Sequence, residues 1–110
     1  MKIELEKLPI KTMVNFNGGE KELSANMFID DAGNKIFLGK LVPGASIGMH
    51  KHETSCEIIY VLKGKGKVLY NDTEESVVEG DCHYCPKGHS HSLINNSDED
   101  LEFFAVVPIQ

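Results

Sequence analysis

Residues 44–64 read GASIGMHKHETSCEIIYVLKG, and residues 80–95 read GDCHYCPKGHSHSLIN. The first stretch sets His50 and His52 two positions apart and follows them with Glu57; the second supplies His91. Side chains two apart on a strand leave the same face, which is what chelation from one strand requires. Imidazole and carboxylate together form a ligand set for a divalent transition metal. His91 has to come from a further strand that the fold brings close.

The rest of the chain reads as short β segments separated by turn residues. Ile3–Leu8 alternates weakly. Leu23–Ile29 stops at the turn cluster Asp30-Asp31-Ala32-Gly33-Asn34, and Lys35–Val42 ends at Pro43-Gly44. Ser46–His52 carries the paired histidines, and Glu57–Lys63 is rich in β-prone Ile, Tyr and Val. Lys67–Tyr70, Glu74–Val78, Cys82–Cys85, His91–Ile94 and Leu101–Val107 complete the series. No stretch sustains the period of an amphipathic helix. Several strands with a turn every eight to twelve residues predict an all-β sandwich or barrel.

Glycines and a proline frame both ligand clusters. Gly44, His50, His52, Glu57 and Gly64 form one pattern, and Gly80, Pro86, Gly88, His91 and Asn95 the other. At ordinary usage of about 7% Gly and 5% Pro, ten filled positions are a specific signal. The two patterns resemble the signature motifs of the cupin superfamily, motif 1 at 44–64 and motif 2 at 80–95. The resemblance implies one domain over residues 1–110, a double-stranded β-helix or jelly-roll barrel. It further implies one divalent transition metal ion (Fe, Mn, Ni, Co, Cu or Zn) held by His50, His52, Glu57 and His91. It does not name a reaction.

Composition narrows the partners. With 17 acidic and 11 basic residues the net charge is −6, which disfavours nucleic acid and anionic membranes. No apolar run approaches the eighteen or so residues that span a bilayer. The N-terminal Met-Lys-Ile-Glu-Leu-Glu-Lys has no apolar signal core, so a cytoplasmic location is expected. Cys56, Cys82 and Cys85 are an odd number, a poor disulfide framework. Cys82 and Cys85 spell C-x-x-C, but positions three apart on a strand face opposite ways, so they are read as small fillers. All eleven basic residues are lysines. Arginine is the usual planar fork for carboxylate and phosphate, so its absence points toward a small neutral or weakly polar ligand, unless lysine substitutes as a point charge.

Other residues are assigned by position. His83 matches no ligand position and is expected on the outer face; His89 is expected at a loop or pocket rim. Asn95 is expected to satisfy backbone groups in a turn. Strand parity puts Ser46, Gly48, Ile59, Val61 and Leu93 inward, with Phe103 or Phe104 walling the cavity. Tyr60 falls on the face away from the ligands. Two functions are expected to compete: a metal-dependent enzyme of dioxygenase or isomerase type, and a non-catalytic module that binds a small molecule or the metal. A closed structural zinc site is the third option. Glu57–Lys63 is apolar on both faces, which implies a partner sheet, within the sandwich or in a second subunit, and a homodimer is expected.

Overall fold

The computed structural model describes residues 1–110. Its strands in chain order are β1 (Ile10–Val14), β2 (Glu22–Ile29), β3 (Lys35–Leu41), β4 (His50–Lys51) and β5 (Glu57–Lys63). They continue with β6 (Lys65–Tyr70), β7 (Thr73–Val78), β8 (Cys82–Cys85), β9 (Ser90–Ile94) and β10 (Leu101–Val107). One sheet has the order β1-β2-β3-β10-β5-β8 and the other β4-β9-β6-β7. Every named pair is antiparallel. The two sheets face each other as a jelly-roll barrel, the all-β architecture expected from the strand pattern and the motifs.

Alternation of side chains decides which face closes the barrel. On β10, Leu101, Phe103, Ala105 and Val107 are buried, and on β5 Glu57, Ile59 and Val61. The opposing sheet contributes Val68, Val77 and Leu93. Gly39 and Phe103 are register partners, and a Cβ on Gly39 would stand 2.3 Å from the Phe103 ring. The ring therefore lies over bare backbone and meets Phe37 edge-on at 5.9 Å. Near the Leu41–Leu101 pairing the interior is aliphatic; the opposite end, near Lys35–Val107 and His50–His91, is polar.

Two expectations change. Ile3–Leu8 is not a strand: it contains a 3-10 turn at Leu5–Lys7, and the first strand is Ile10–Val14. Ile10 and Val14 are exposed, so that strand carries no buried periodicity. It is held by its backbone ladder to β2, from Ile10–Asn26 to Val14–Glu22. Ser46–His52 also shrinks to a two-residue strand at His50–Lys51. Ala45, Ser46, Ile47 and Gly48 are all buried in succession, because the 16–19 loop crosses them backbone to backbone. A Cβ on Gly48 would meet the Asn17 carbonyl oxygen at 1.9 Å, and one on Gly19 would meet that of Ser46 at 2.1 Å.

The two faces of β5 separate cleanly. Ile58, Tyr60 and Leu62 point outward and are 38%, 44% and 41% exposed, with Tyr84 beside them at 54%. The partner sheet inferred for this face is therefore not the other half of the barrel.

Phe103→Ala should cost about 3–5 kcal/mol in denaturant unfolding, because it empties the fully buried centre. Val14→Ala, on the exposed edge, should stay within about 0.5 kcal/mol. Equal losses at the two positions would contradict this assignment of the core.

Candidate metal centre

Each donor is delivered by a separate feature of the backbone. His50 on β4 is the register partner of His91 on β9. His52 follows β4, and its backbone N–H donates to the His89 carbonyl at 3.0 Å. The Gly88 N–H returns a bond to the His52 carbonyl at 2.6 Å. The Pro86–Gly88 bend thus ties the second ligand cluster to the first. Glu57 opens β5 on its inward face.

The four side chains form one cluster. The Nε2 atoms of His50 and His52 are 3.2 Å apart, those of His52 and His91 2.9 Å, and those of His91 and His50 3.0 Å. Glu57 Oε1 lies 3.0 Å from His52 Nε2, 2.9 Å from His91 Nε2 and 3.8 Å from His50 Nε2. Metal–nitrogen bonds of about 2.1 Å put donors at right angles about 3.0 Å apart and tetrahedral donors about 3.4 Å apart. Five separations lie near the right-angle value and the sixth, His50 to Glu57, is wider. A closed tetrahedral site would space them evenly.

Hydrogen bonds on the far side of the rings aim these lone pairs. His50 Nδ1 lies 2.7 Å from the Gly48 carbonyl. A carbonyl only accepts, so Nδ1 carries the proton and Nε2 is free to ligate. His52 Nδ1 is held by the Ser55 hydroxyl at 2.8 Å. Three imidazole nitrogens and a carboxylate oxygen facing one another are a fitting donor set for a divalent cation.

Protons respond to the same crowding. Burial pushes Glu57 up, but its bonds to His50, His52 and His91 outweigh this and hold the carboxyl well below its usual range. Burial pushes His50 down, while the Glu57 carboxylate and the Gly48 carbonyl raise it on balance. Burial dominates at His91 and lowers it despite Glu57. Burial also lifts the Cys85 thiol to about 11, leaving it inert.

A cavity of about 350 Å³ opens onto His50, His52 and Glu57. Phe16, Met27, Phe37, Ile47 and Val107 form its apolar wall, and Lys35, Lys51, Asn17 and Ser55 add polar groups. The expected inward positions are revised here. Ile47 lines the cavity; the Ser46 hydroxyl instead accepts the Glu20 N–H at 2.8 Å. Phe103 lies deeper, and Phe16 and Phe37 are the walling aromatics. Tyr60 is exposed, as its parity implied, and Asn95 is fully buried, donating to the Leu41 and Glu99 carbonyls. His89 stands outside the cluster, its Nδ1 bonded to the Tyr70 hydroxyl at 2.5 Å.

His83 corrects the sequence reading. It is 5% exposed and inward, not on the outer face, and its Nε2 lies 3.0 Å from His91 Nδ1. The signal was available: the parity that separates Cys82 from Cys85 places His83 on the same side as Cys85, and Cys85 is buried while Cys82 is exposed.

The family model described as "Cupin domain" matches residues 37–107. The oxalate-binding protein of Thermotoga maritima is 36% identical over 112 residues, covering 97% of this chain and 93% of its own. The crystal structure of a predicted oxalate decarboxylase from Thermotoga maritima aligns over 100% of both chains, with a TM-score of 0.88 and 30% identity. A sugar phosphate isomerase from Silicibacter pomeroyi, also of the cupin superfamily, aligns over 97% of this chain and 74% of that one. Its TM-score is 0.77 and its identity 24%, a likeness of fold alone.

The depressed Glu57 carboxyl gives the metal-free protein a pH signature. The unfolded chain binds that proton more tightly than the folded one. The carboxylate's contribution is therefore complete above the ordinary value of 4.5 and lost as pH falls through the lower folded value. Denaturant melts from about pH 5 to pH 3 should show metal-free wild type losing stability with acid more steeply than Glu57→Gln. Parallel slopes would mean that the carboxyl is not held down in the fold.

Proposed function

The chain belongs to the cupin domain family, and from that premise we propose that it binds a small carboxylate anion at a divalent transition metal held by His50, His52, Glu57 and His91. The observation that carries this reading is the cavity the donors share with Lys35 and Lys51. Three neutral imidazoles and one carboxylate leave a divalent ion with a net single positive charge, and two lysines add to it. That is an anion receptor. Lys35 supplies the charge that a chain without arginine would otherwise lack. Its field already reaches the donor set, where it lowers His50.

A bound divalent ion supplies electrostatic attraction for carboxylate oxygens. The chain's own groups do the rest. Lys35 attracts the distal end of the anion, Asn17 and Ser55 offer short-range polar contacts, and the apolar wall excludes competing water. A volume of about 350 Å³ admits a small carboxylate with room to spare, and the 36% identical relative named for oxalate binding fits that charge. Glu57 is the only carboxylate lining the cavity and it is committed to the donor set, which favours binding over proton transfer. A second reading, oxygenation or isomerisation of a weakly polar organic molecule, is favoured by Phe16, Met27, Phe37, Ile47 and Val107 on the wall.

The outward face of β5 and β8, with Ile58, Tyr60, Leu62 and Tyr84, supports a homodimer. Free thiols at Cys56, Cys82 and Cys85 suit a reducing cytoplasm. No helix is long and apolar enough to cross a membrane.

Calorimetric titration with zinc or manganese should show one site in the wild type. His52→Ala should weaken it by orders of magnitude, and Cys85→Ser should leave it intact. Oxalate should then bind only the metal-loaded protein, and Lys35→Met should weaken it roughly tenfold. Oxalate binding without metal would sink the binding reading, whereas oxygen uptake by the iron form with diketones or catechols would favour the enzyme. In light scattering the wild type should run as a dimer and Tyr60→Glu as a monomer; a monomeric wild type would refute the dimer.

A further inference from the structure

We infer that His83 and Glu75 are positioning residues that fix the tautomer of His91 and so aim its Nε2 at the metal. The inference rests on the donor set proposed above. His83, on β8, is the one buried histidine outside that set, and its Nε2 lies 3.0 Å from His91 Nδ1. Its other nitrogen, Nδ1, lies 3.4 Å from Glu75 Oε1 on β7. The Glu75 side chain is 49% exposed while that of His83 is 4% exposed. A line of polar atoms therefore runs from solvent through a buried ring to the metal centre.

The direction of each proton along this line follows from the end groups. Glu75 Oε1 is too far from His83 Nδ1 for a close hydrogen bond, but its negative charge 3.4 Å away favours the His83 proton on Nδ1. That leaves His83 Nε2 as an acceptor, and the proton between the two rings belongs to His91 Nδ1. When a cation lies among His50, His52 and Glu57, a neutral His91 protonated on Nδ1 offers it an unprotonated Nε2. The opposite assignment would put a proton on His91 Nε2, where it would block ligation. Glu75 thus selects the ligating tautomer of a residue two rings away.

The fold holds this line in place. β7 and β8 are edge strands of different sheets, so the Glu75–His83 contact also bridges the seam of the barrel. The His83 ring lies edge to edge with His91, at 27° and with centroids 5.2 Å apart, and meets the edge of Tyr70 at 5.6 Å. Tyr70 is in turn fixed through its hydroxyl to His89. Outer partners of this kind alter metal affinity by about 10–100-fold in other sites.

The test uses the full chain after chelator treatment. Zinc titration of His83→Leu should show affinity lowered about 10–100-fold, with His83→Gln recovering most of the loss because its amide oxygen accepts the His91 proton. Glu75→Ala, at a half-exposed side chain, should lose a smaller part and carries the test if His83→Leu does not fold. Nitrogen-15 spectra of the zinc-loaded protein should show the His91 Nδ1–H shifted by its hydrogen bond in the wild type, and that shift lost in His83→Leu. Wild-type zinc affinity in both His83→Leu and Glu75→Ala, or a His91 Nδ1–H signal indifferent to them, would overturn the inference and leave the donor set standing. A wild type that binds no metal overturns both.

Discussion

Three imidazole nitrogens and a carboxylate oxygen packed about 3 Å apart in a largely buried site are the constraint around which this molecule is arranged. Lone pairs do not tolerate such proximity unless positive charge lies among them, and burial removes the water that would otherwise screen them. Without metal, shared protons do part of that work, which is why His50 is raised while Glu57 is depressed. A divalent cation would do it fully and would charge the floor of the cavity.

The barrel meets this demand by dividing its interior. One end is closed by Leu23, Leu41, Leu101 and Phe103, all fully buried, and needs nothing from solvent. The other is polar and joins the donor set to the cavity. Close backbone crossings rather than side-chain packing shape that second end. Glycines at 19 and 48 let the 16–19 loop lie on the 46–48 segment, bringing Phe16 and Asn17 to the cavity wall. The Pro86–Gly88 bend does the same for His91 through its bonds to the His52 backbone.

Charge and access around the donors distinguish the proposed anion receptor from a dry structural site. A closed tetrahedral zinc would need evenly spaced donors and no accessible face. Here the separations are uneven, and His50, His52 and Glu57 border a cavity that Lys35 also lines. Behind them, His91 is the least exposed of the four and is backed by His83. The centre therefore has a ligand-facing front and a hydrogen-bonded back, and substitutions on the two sides have distinct consequences.

The all-β architecture, most strand positions and the residues that gather as His50, His52, Glu57 and His91 were legible in the sequence. Two-residue periodicity and the spacing of His50, His52, Glu57 and His91 are local properties, and they hold whatever the rest of the chain does. Cys82–Cys85 and Leu101–Val107 match their strands end to end. What misled was local pattern that tertiary contacts overrode: the 46–48 segment, flattened by a crossing loop, and the N-terminal strand, whose Ile10 and Val14 face solvent. His83 was misplaced because no ligand motif includes it, although its parity with Cys85 pointed inward. Lys35 at the cavity, the open side of the donor set and the Glu75–His83–His91 line depend on which strands of two sheets come to lie together. That is set by long-range pairing and by closure of the barrel, which no short window of sequence contains.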